Sequence, residues 1–137
     1  MDAERHILAL RQSVVALRRH ADVSRWGFLL HPSRRRSVER GLQLCSRSIL
    51  ELSRRLGPAA HRNPAAYASS IECLLAARVL PPDLGERLGA FAAVGDAVAQ
   101  GTKKLGAEEM VRVLSEHLDD FDALADHAER WVARHDQ

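Results

Sequence analysis

Residues 90–106, AFAAVGDAVAQGTKKLG, hold the small, polar and basic residues from which a phosphate-binding loop could be built. Such a loop has four residues between its glycines and a Lys before Ser or Thr, and it follows a strand. Here five residues separate Gly95 from Gly101, and Thr102 precedes Lys103. The preceding residues also have a helical pattern. The stretch is therefore not a phosphate loop of this kind.

The cysteines and histidines, which usually perform nucleophilic or metal-assisted chemistry, do not occur in the arrangements that such chemistry needs. Cys45 and Cys73 lie on the inward faces of predicted helices, with no CxxC motif and no His at ligand spacing. None of the seven histidines has a recognisable nucleophile beside it. We predict two buried thiols in a reducing compartment, no metal and no cofactor.

Charge is distributed unevenly along the chain. Residues 1–62 contain 13 arginines and 5 acidic residues, a net +8, whereas residues 63–137 contain 7 basic and 13 acidic residues, a net −6. The two halves are therefore expected to present faces of opposite sign. Arginine side chains often coat the solvated side of a helix, but a basic face also attracts polyanions and acidic partners. The predicted RNA- or partner-binding residues are Arg34, Arg35, Arg36, Arg40, Arg47 and Arg54.

Two long amphipathic helices are predicted in the first half. Over residues 3–27, apolar residues recur every three or four positions, which is the pattern of one buried stripe: Ile7, Leu10, Val14, Leu17 and Ala21. His31 and Pro32 interrupt the pattern, and Ser33 is a plausible cap for the second helix, which Gly57 and Pro58 end. Its stripe comprises Val38, Leu42, Cys45, Ile49, Leu52 and Leu56.

Three further helices are predicted in the second half, of which the third helix of the chain is short. The third covers about residues 64–78, the fourth begins within VLPPDLGERL, and the last covers about residues 107–133. Proline at the first helical position and Asp83 beside it favour the start of the fourth helix. The predicted inward-facing residues are Tyr67, Ile71, Leu74, Leu75, Leu84, Leu88, Phe91, Val98, Met110, Leu114, Phe121, Leu124 and Trp131.

About five helices joined by short loops predict an all-α, up-and-down bundle, with residues 1–137 as one domain. The long stripes of the first two helices could also serve a dimer. No run of 18 apolar residues occurs, and the amino terminus MDAERHILAL lacks a basic leader before an apolar block. We therefore predict a soluble, cytoplasmic protein with no membrane partner.

Three stretches carry a resemblance to a known family: SVERGLQLCSRSILELSRRLG, YASSIECLLAARVLPPDLGERLGAFA and LGAEEMVRVLSEHLDDFDAL. In helix order, turn residues and apolar spacing, about residues 1–131 resemble the HepT family of HEPN proteins. The resemblance implies a homodimeric ribonuclease toxin that pairs with a minimal nucleotidyltransferase antitoxin. It also implies the signature RNxxxHxY at the end of the fourth helix.

The resemblance assigns a role to each signature residue. The Arg stabilises the phosphate at the scission point, and the His assists proton transfer in a metal-independent cleavage that uses the RNA 2′-hydroxyl. The Asn, or a similar polar residue, orients this pair. The Tyr is the residue that the antitoxin modifies with AMP.

When LGAEEMVRVL is anchored at the start of the last helix, every functional position of the signature departs from the family. Gly95 replaces the Arg, Asp96 the Asn, Gln100 the His and Thr102 the Tyr. A positioned acid or base is typically worth about a hundredfold to ten-thousandfold in rate, and Gln cannot exchange a proton near neutral pH. Without the guanidinium, the charge that builds on phosphorus is unopposed, and a carboxylate repels it. The pattern predicts a silent active site.

Nearby residues offer no replacement within the signature. Lys103 and Lys104 are displaced by most of a helical turn or more, and the lone tyrosine, Tyr67, lies far upstream. The sequence RWVARH, residues 130–135, has the right spacing of Arg and His but lies in the last helix. A structural role is the commoner one for a histidine at the position of His117.

Two classes of function follow, and a third is less specific. The first is a catalytically silent, HepT-like interaction module that binds a nucleotidyltransferase or RNA through its basic half. The second is a ribonuclease whose catalytic residues have moved to His117, His127 or the arginine-rich second helix. The third is a small helical domain of a larger assembly.

Overall fold

The computed structural model describes residues 2–58, 60, 64, 66–100 and 105–135, with the backbone alone at residues 25, 93 and 98–100. Over these ranges the regular structure is helical, without strands, which confirms the all-α prediction. Eight helices occur where about five are predicted, because three predicted helices are interrupted. They are α1 (Asp2–Arg18), α2 (Arg25–Leu30), α3 (Pro32–Leu56), α4 (Tyr67–Ala76), α5 (Pro82–Gly89), α6 (Ala92–Gln100), α7 (Ala107–Glu116) and α8 (Leu118–His135).

The first predicted helix ends nine residues early, at Arg18. The Ser24 hydroxyl accepts a hydrogen bond from the Gly27 N–H at 3.4 Å and begins the separate helix α2. The prediction that Ala21 continues the buried stripe is wrong, since Ala21 is exposed. Phe28 of α2 is fully buried instead. The short helix α2 therefore supplies the core residue that the end of the predicted first helix was expected to supply.

The longest helix, α3, follows its predicted stripe closely. It begins at Pro32, so Ser33 lies inside its first turn and the prediction of Ser33 as the cap is wrong. Proline suits this first turn because its ring fixes φ and it has no N–H to leave unbonded. The predicted end is confirmed, because Gly57 is the C-cap and its N–H donates to the Ser53 carbonyl at 2.9 Å.

The last two predicted helices are each interrupted once. Residues Ala90 and Phe91 separate α5 from α6, and His117 separates α7 from α8. The His117 N–H still donates to the Val113 carbonyl at 3.0 Å, so one helical hydrogen bond continues into the break. Both breaks keep the inward faces in register with the core.

Helix α3 packs against α1, α4, α6 and α7, and α1 also packs against α8. The α1–α3 pair is antiparallel: Asp2 lies 3.9 Å from Arg55 at one end, and Leu17 lies beside Gly41 at the other. Ion pairs show that α1 and α8 are antiparallel as well. Helix α1 thus runs antiparallel to both of its main neighbours, as in an up-and-down bundle.

The charge asymmetry is partly neutralised inside the fold. Arg18 contacts Asp119 at 2.8 Å and Asp122 at 2.6 Å. About two turns earlier in α1, Arg11 contacts Asp126 at 2.8 Å and also Glu129. The expectation that the basic and acidic halves present separate faces is therefore too simple. Part of the positive charge of α1 is opposed by the acidic face of α8.

The core contains most of the predicted inward-facing residues. Phe91 lies at its centre, edge-on to Tyr67 at 5.2 Å between ring centroids and to Phe121 at 5.4 Å. Leu75 and Trp131 are only half-buried, and the Trp131 indole donates to the Ala77 carbonyl at 3.3 Å. The Val98 side chain lies outside the described part of the chain. Further fully buried residues, which the stripes did not include, are Leu105, Ala125 and Ala128.

Both cysteines are buried thiols, as predicted. Burial raises the pKa of Cys45 to about 12, and the Cys73 thiol donates to the Ser53 carbonyl at 3.5 Å. In the helices of the described residues, no segment has the length and apolarity to cross a membrane. Those residues also contain no cluster of three or more His, Cys, Asp or Glu side chains suited to a metal ion.

We expect the native protein to resist thiol reagents. At pH 8 the raised pKa leaves Cys45 with roughly a thousandfold less thiolate than a free thiol, and burial blocks access to both sulfurs. Reaction with Ellman's reagent should therefore be very slow in buffer and release two equivalents in urea. Rapid release of one equivalent from the folded protein would show that a thiol is accessible.

Candidate functional site

The first signature position, Gly95, lies in α6 within the packed interior. Gly95 is buried, and a Cβ built on it would lie 2.9 Å from Cε1 of Phe91 and 3.1 Å from Cγ of Tyr67. Real Cβ atoms essentially never show the 2.9 Å contact, and the 3.1 Å contact is tighter than most, so a side chain here would have to displace the rings. The position that the alignment predicts for the family's guanidinium therefore lies against aromatic packing.

The second signature position, Asp96, has a structural partner. Its Oδ1 accepts a hydrogen bond from the backbone N–H of Tyr67 at 2.5 Å. Tyr67 is the first residue of α4, and Ala66 before it has no side-chain oxygen with which to cap the helix. The carboxylate of α6 thus satisfies an N–H that helix starts leave unbonded and lies at the positive end of α4.

We expect Asp96→Ala to lower the free energy of unfolding by about 1.5–3 kcal/mol, because a hydrogen bond to a charged acceptor is lost and a part-buried N–H is left without it. Asp96→Asn introduces the residue that the resemblance implies at this position and keeps an acceptor oxygen, so its loss of stability should be smaller. Urea denaturation followed by circular dichroism measures both. Equal stability of Asp96→Ala and the native protein would contradict the capping role.

Tyr67 is close to the signature in space, although it lies far upstream in sequence. Its distance along the chain does not separate it from this position, because the ring of Tyr67 packs on Gly95. Its hydroxyl donates to the Leu88 carbonyl at 2.9 Å, and burial, followed by nearby acidic groups, raises its pKa. With 2% exposure, this hydroxyl is not placed to be a modification site.

The remaining signature positions fall partly outside the described residues. The backbone of Gln100 ends α6, and its side chain is not described. Thr102, with Lys103 and Lys104, also lies outside the described residues. The assignment of Gln100 and Thr102 to the signature therefore stays a prediction from the sequence.

The six predicted binding arginines divide into two groups. Arg34 and Arg35 are half-buried, with Arg34 Nη1 lying 3.4 Å from His20 Nδ1 and Arg35 donating to the Leu105 carbonyl at 2.8 Å. These two link α3 to neighbouring segments. The other four are exposed, and helical geometry places them within about 40° of one another along α3, over a length of about 27 Å. This α3 arginine stripe comprises Arg36, Arg40, Arg47 and Arg54.

Local acidic residues oppose only one end of the α3 arginine stripe. Arg54 contacts Glu51 at 3.0 Å. Within the described part of the chain, Arg36, Arg40 and Arg47 take part in no ion pair. The sequence alone could not show which arginines have partners, since Arg34 and Arg35 contact residues that are distant in the chain.

His117 belongs to a charge cluster at the bend between α7 and α8. Its Nδ1 lies 3.8 Å from Asp120 Oδ2, and Arg87 Nε donates to the other oxygen of Asp120 at 3.0 Å. The His117 ring also packs against Phe91, with ring centroids 5.4 Å apart. Because Asp120 and Asp83 both contact Arg87, the cation next to this histidine is already neutralised.

The last helix does not bring Arg130 and His135 together. Arg130 Nη2 lies 3.2 Å from His127 Nδ1, whereas His135 stacks on Trp131 with centroids 3.8 Å apart. His127 is half-buried, and its pKa is lowered mainly by burial and then by the charge of Arg130. The sequence alternative at residues 130–135 therefore lacks its Arg–His pair, and Arg130 contacts His127 instead.

Comparison with known proteins shows that this helical bundle has a fold found in a solved structure and in a protein family. A crystal structure of a toxin-antitoxin with AMP-PNP superimposes with a TM-score of 0.74 at 17% sequence identity, covering 92% of this chain and 96% of that one. No curated protein matches the chain. The family Ribonuclease HepT-like matches residues 10–128. The chain belongs to the HepT-like ribonuclease family, which confirms the resemblance seen in the sequence.

Proposed function

We propose that this HepT-like protein is a non-catalytic binding module of the toxin–antitoxin type, which pairs with a minimal nucleotidyltransferase. The observation that carries the proposal is the closed packing at Gly95. Aromatic rings fill the place of the guanidinium that the family resemblance assigns to phosphate stabilisation. Asp96 beside it caps α4 and adds negative charge where a phosphate would lie.

The α3 arginine stripe is the proposed contact surface. Helical geometry places its four arginines in one row, and Arg36, Arg40 and Arg47 form no ion pair with the described residues. A row about 27 Å long matches an elongated acidic surface. Arginine forms paired hydrogen bonds with carboxylates, which favours a protein partner with an acidic helix or strand.

Self-association is the second part of the proposal. Helix α2 exposes Trp26, Leu29 and Leu30, which are 62%, 49% and 71% accessible. Large apolar side chains clustered on one short helix are typical of a protein–protein contact. We propose that a homodimer covers this face and leaves the α3 arginine stripe available to the nucleotidyltransferase.

The decisive experiment combines light scattering with an RNA cleavage assay. A neighbouring gene that encodes a GSxxxxxxxDxD nucleotidyltransferase supplies the partner. We expect a dimer alone, a larger complex with the partner, and no cleavage of labelled transfer or messenger RNA above the buffer level. Arg40→Ala with Arg47→Ala should weaken the complex about tenfold or more. Arg112→Ala paired with Arg5→Ala, two exposed arginines elsewhere, is the matched control.

RNA is the second candidate partner, because exposed arginines without ion pairs can neutralise its phosphates. Neutralising a few phosphates makes binding strongly salt-dependent. Fluorescence anisotropy with labelled RNA at two salt concentrations distinguishes this case from the protein complex. Specific cleavage that His117→Ala or His127→Ala abolishes would instead establish the relocated enzyme and overturn the non-catalytic proposal.

A further inference from the structure

A second basic site lies away from both the signature and the α3 arginine stripe. The connection between α4 and α5 and the outer face of α8 enclose an open cleft of about 870 Å³. Its walls are apolar where Leu75, Val79 and Leu80 line it, and they are charged where Arg78, His127 and Arg134 line it. Clefts of roughly 300–1,000 Å³ with apolar walls and a few convergent polar groups are typical of ligand sites.

Positive charge predominates around this cleft. His127 and Arg134 lie seven residues apart on one face of α8, and Arg130, between them, contacts His127. Glu86 also lines the cleft and opposes these charges. Asp83 is nearby, but it contacts Arg87 at 3.5 Å. Asp126, the other acidic residue near His127, contacts Arg11 at 2.8 Å. The two arginines of the lining, Arg78 and Arg134, therefore face one unshared carboxylate and a half-buried imidazole.

The backbone of Arg78 supplies an independent observation. Arg78 has φ = 61°, the positive value that favours glycine, and no other described non-glycine residue has one. Two hydrogen bonds of 3.0 Å end α4 here: the Arg78 N–H donates to the Leu75 carbonyl, and the Val79 N–H donates to the Leu74 carbonyl. This helix ending normally takes glycine at that position. The fold thus tolerates a strained arginine where glycine would be more stable, and this arginine lines the cleft.

We propose that the cleft formed by Arg78, His127 and Arg134 binds a phosphomonoester whose apolar body lies on Leu75, Val79 and Leu80. Two guanidinium forks suit the oxygens of a phosphate dianion, and the apolar wall removes the rest of the ligand from water. This site does not depend on the proposed partner binding, because it lies on α8 and the α4–α5 connection rather than on α3. Failure of one proposal leaves the other standing.

The test uses phenyl phosphate as the probe and NMR titration of the folded native chain as the measurement. We expect saturable shifts of the His127 ring signals and a rise in the pKa of His127, since a bound dianion offsets the neighbouring Arg130 and Arg134. Phenol and inorganic phosphate should each bind at least about tenfold more weakly, since each supplies one half of the interaction. Equal binding of phenol and phenyl phosphate overturns the proposal.

A variant that is expected to raise stability but weaken binding separates the two effects. Arg78→Gly relieves the backbone strain, so it should raise Tm by about 2–5 °C while weakening phenyl phosphate binding about tenfold or more. Glu86→Gln should strengthen binding, and Arg134→Ala should weaken it. Arg112→Ala carries the same charge change as Arg134→Ala at an exposed position of α7 outside the cleft lining, and it should leave binding unchanged. A stabilised Arg78→Gly variant with native affinity would refute the site.

Two further ligands distinguish the source of the phosphate. A trinucleotide RNA with a 5′-phosphate, compared with its 5′-hydroxyl form, reports whether the cleft takes an RNA end. Tighter binding of the 5′-phosphorylated trinucleotide than of phenyl phosphate assigns the site to RNA ends. Tighter binding of phenyl phosphate assigns it to small phosphorylated molecules. Binding of none of the phosphorylated probes overturns the proposal.

Discussion

Gly95→Arg should lower the free energy of unfolding by at least about 3 kcal/mol, which is a large part of the stability of a typical domain. The new Cβ alone meets Phe91 at 2.9 Å and Tyr67 at 3.1 Å. Beyond it, the guanidinium would have to displace two aromatic rings or lose its hydration inside the bundle. Urea denaturation monitored by circular dichroism measures the change.

Gly89→Arg provides the matched control for this substitution. Gly89 is exposed at the end of α5, and a Cβ built there has nothing within 4 Å. Its stability should stay within about 0.5–1 kcal/mol of the native protein, since surface substitutions away from special features have small effects. If Gly95→Arg proves as well tolerated as Gly89→Arg, the predicted signature position has room for a guanidinium, which would contradict the proposed silent site.

Phe91→Ala should lower the free energy of unfolding by about 3–5 kcal/mol. The ring is 1% exposed and makes edge contacts with Tyr67 and Phe121. Each aromatic pair adds about 0.5–1.5 kcal/mol to what burial alone provides, and truncation also leaves a cavity. Denaturant titration gives the size of the loss, and near-ultraviolet circular dichroism should show Tyr67 losing its fixed surroundings.

Two comparisons test the reason for this loss. Phe91→Leu keeps much of the apolar volume, so it should be markedly milder than alanine. Val15→Ala removes a side chain that is 59% exposed in α1 and lies outside the proposed dimer face, so it should have little effect. Similar losses for Phe91→Ala and Val15→Ala would mean that Phe91 is not central to the core around Gly95.

The sequence predicts the helical stripes well because apolar spacing records which helix face is buried. The α3 stripe from Val38 to Leu56 is buried along its whole length. The interruptions are harder to predict, because a helix end depends on local hydrogen bonds such as the one from Gly27 to Ser24. Ala21 shows the consequence, since its spacing fits the stripe but the helix has already ended.

The candidate site is less accessible to sequence reasoning than the fold. Sequence comparison with the family signature indicates which chemical groups are missing at Gly95 and Asp96. It cannot indicate that Tyr67, which precedes Asp96 by 29 residues, supplies the ring and the N–H that now occupy that place. The cleft at Arg78 likewise depends on a backbone angle and on the approach of α8, neither of which a single sequence displays.

The ion pairs between α1 and α8 have a consequence for synthesis on the ribosome. Arg18 and Asp119 are 101 residues apart in the chain, and translation proceeds at roughly 5–20 residues per second. Helix α1 therefore emerges many seconds before its acidic counterpart, although α3 becomes available sooner. During that interval the nascent chain carries its arginines without their acidic partners, so it is most open to capture by polyanions before the bundle is complete.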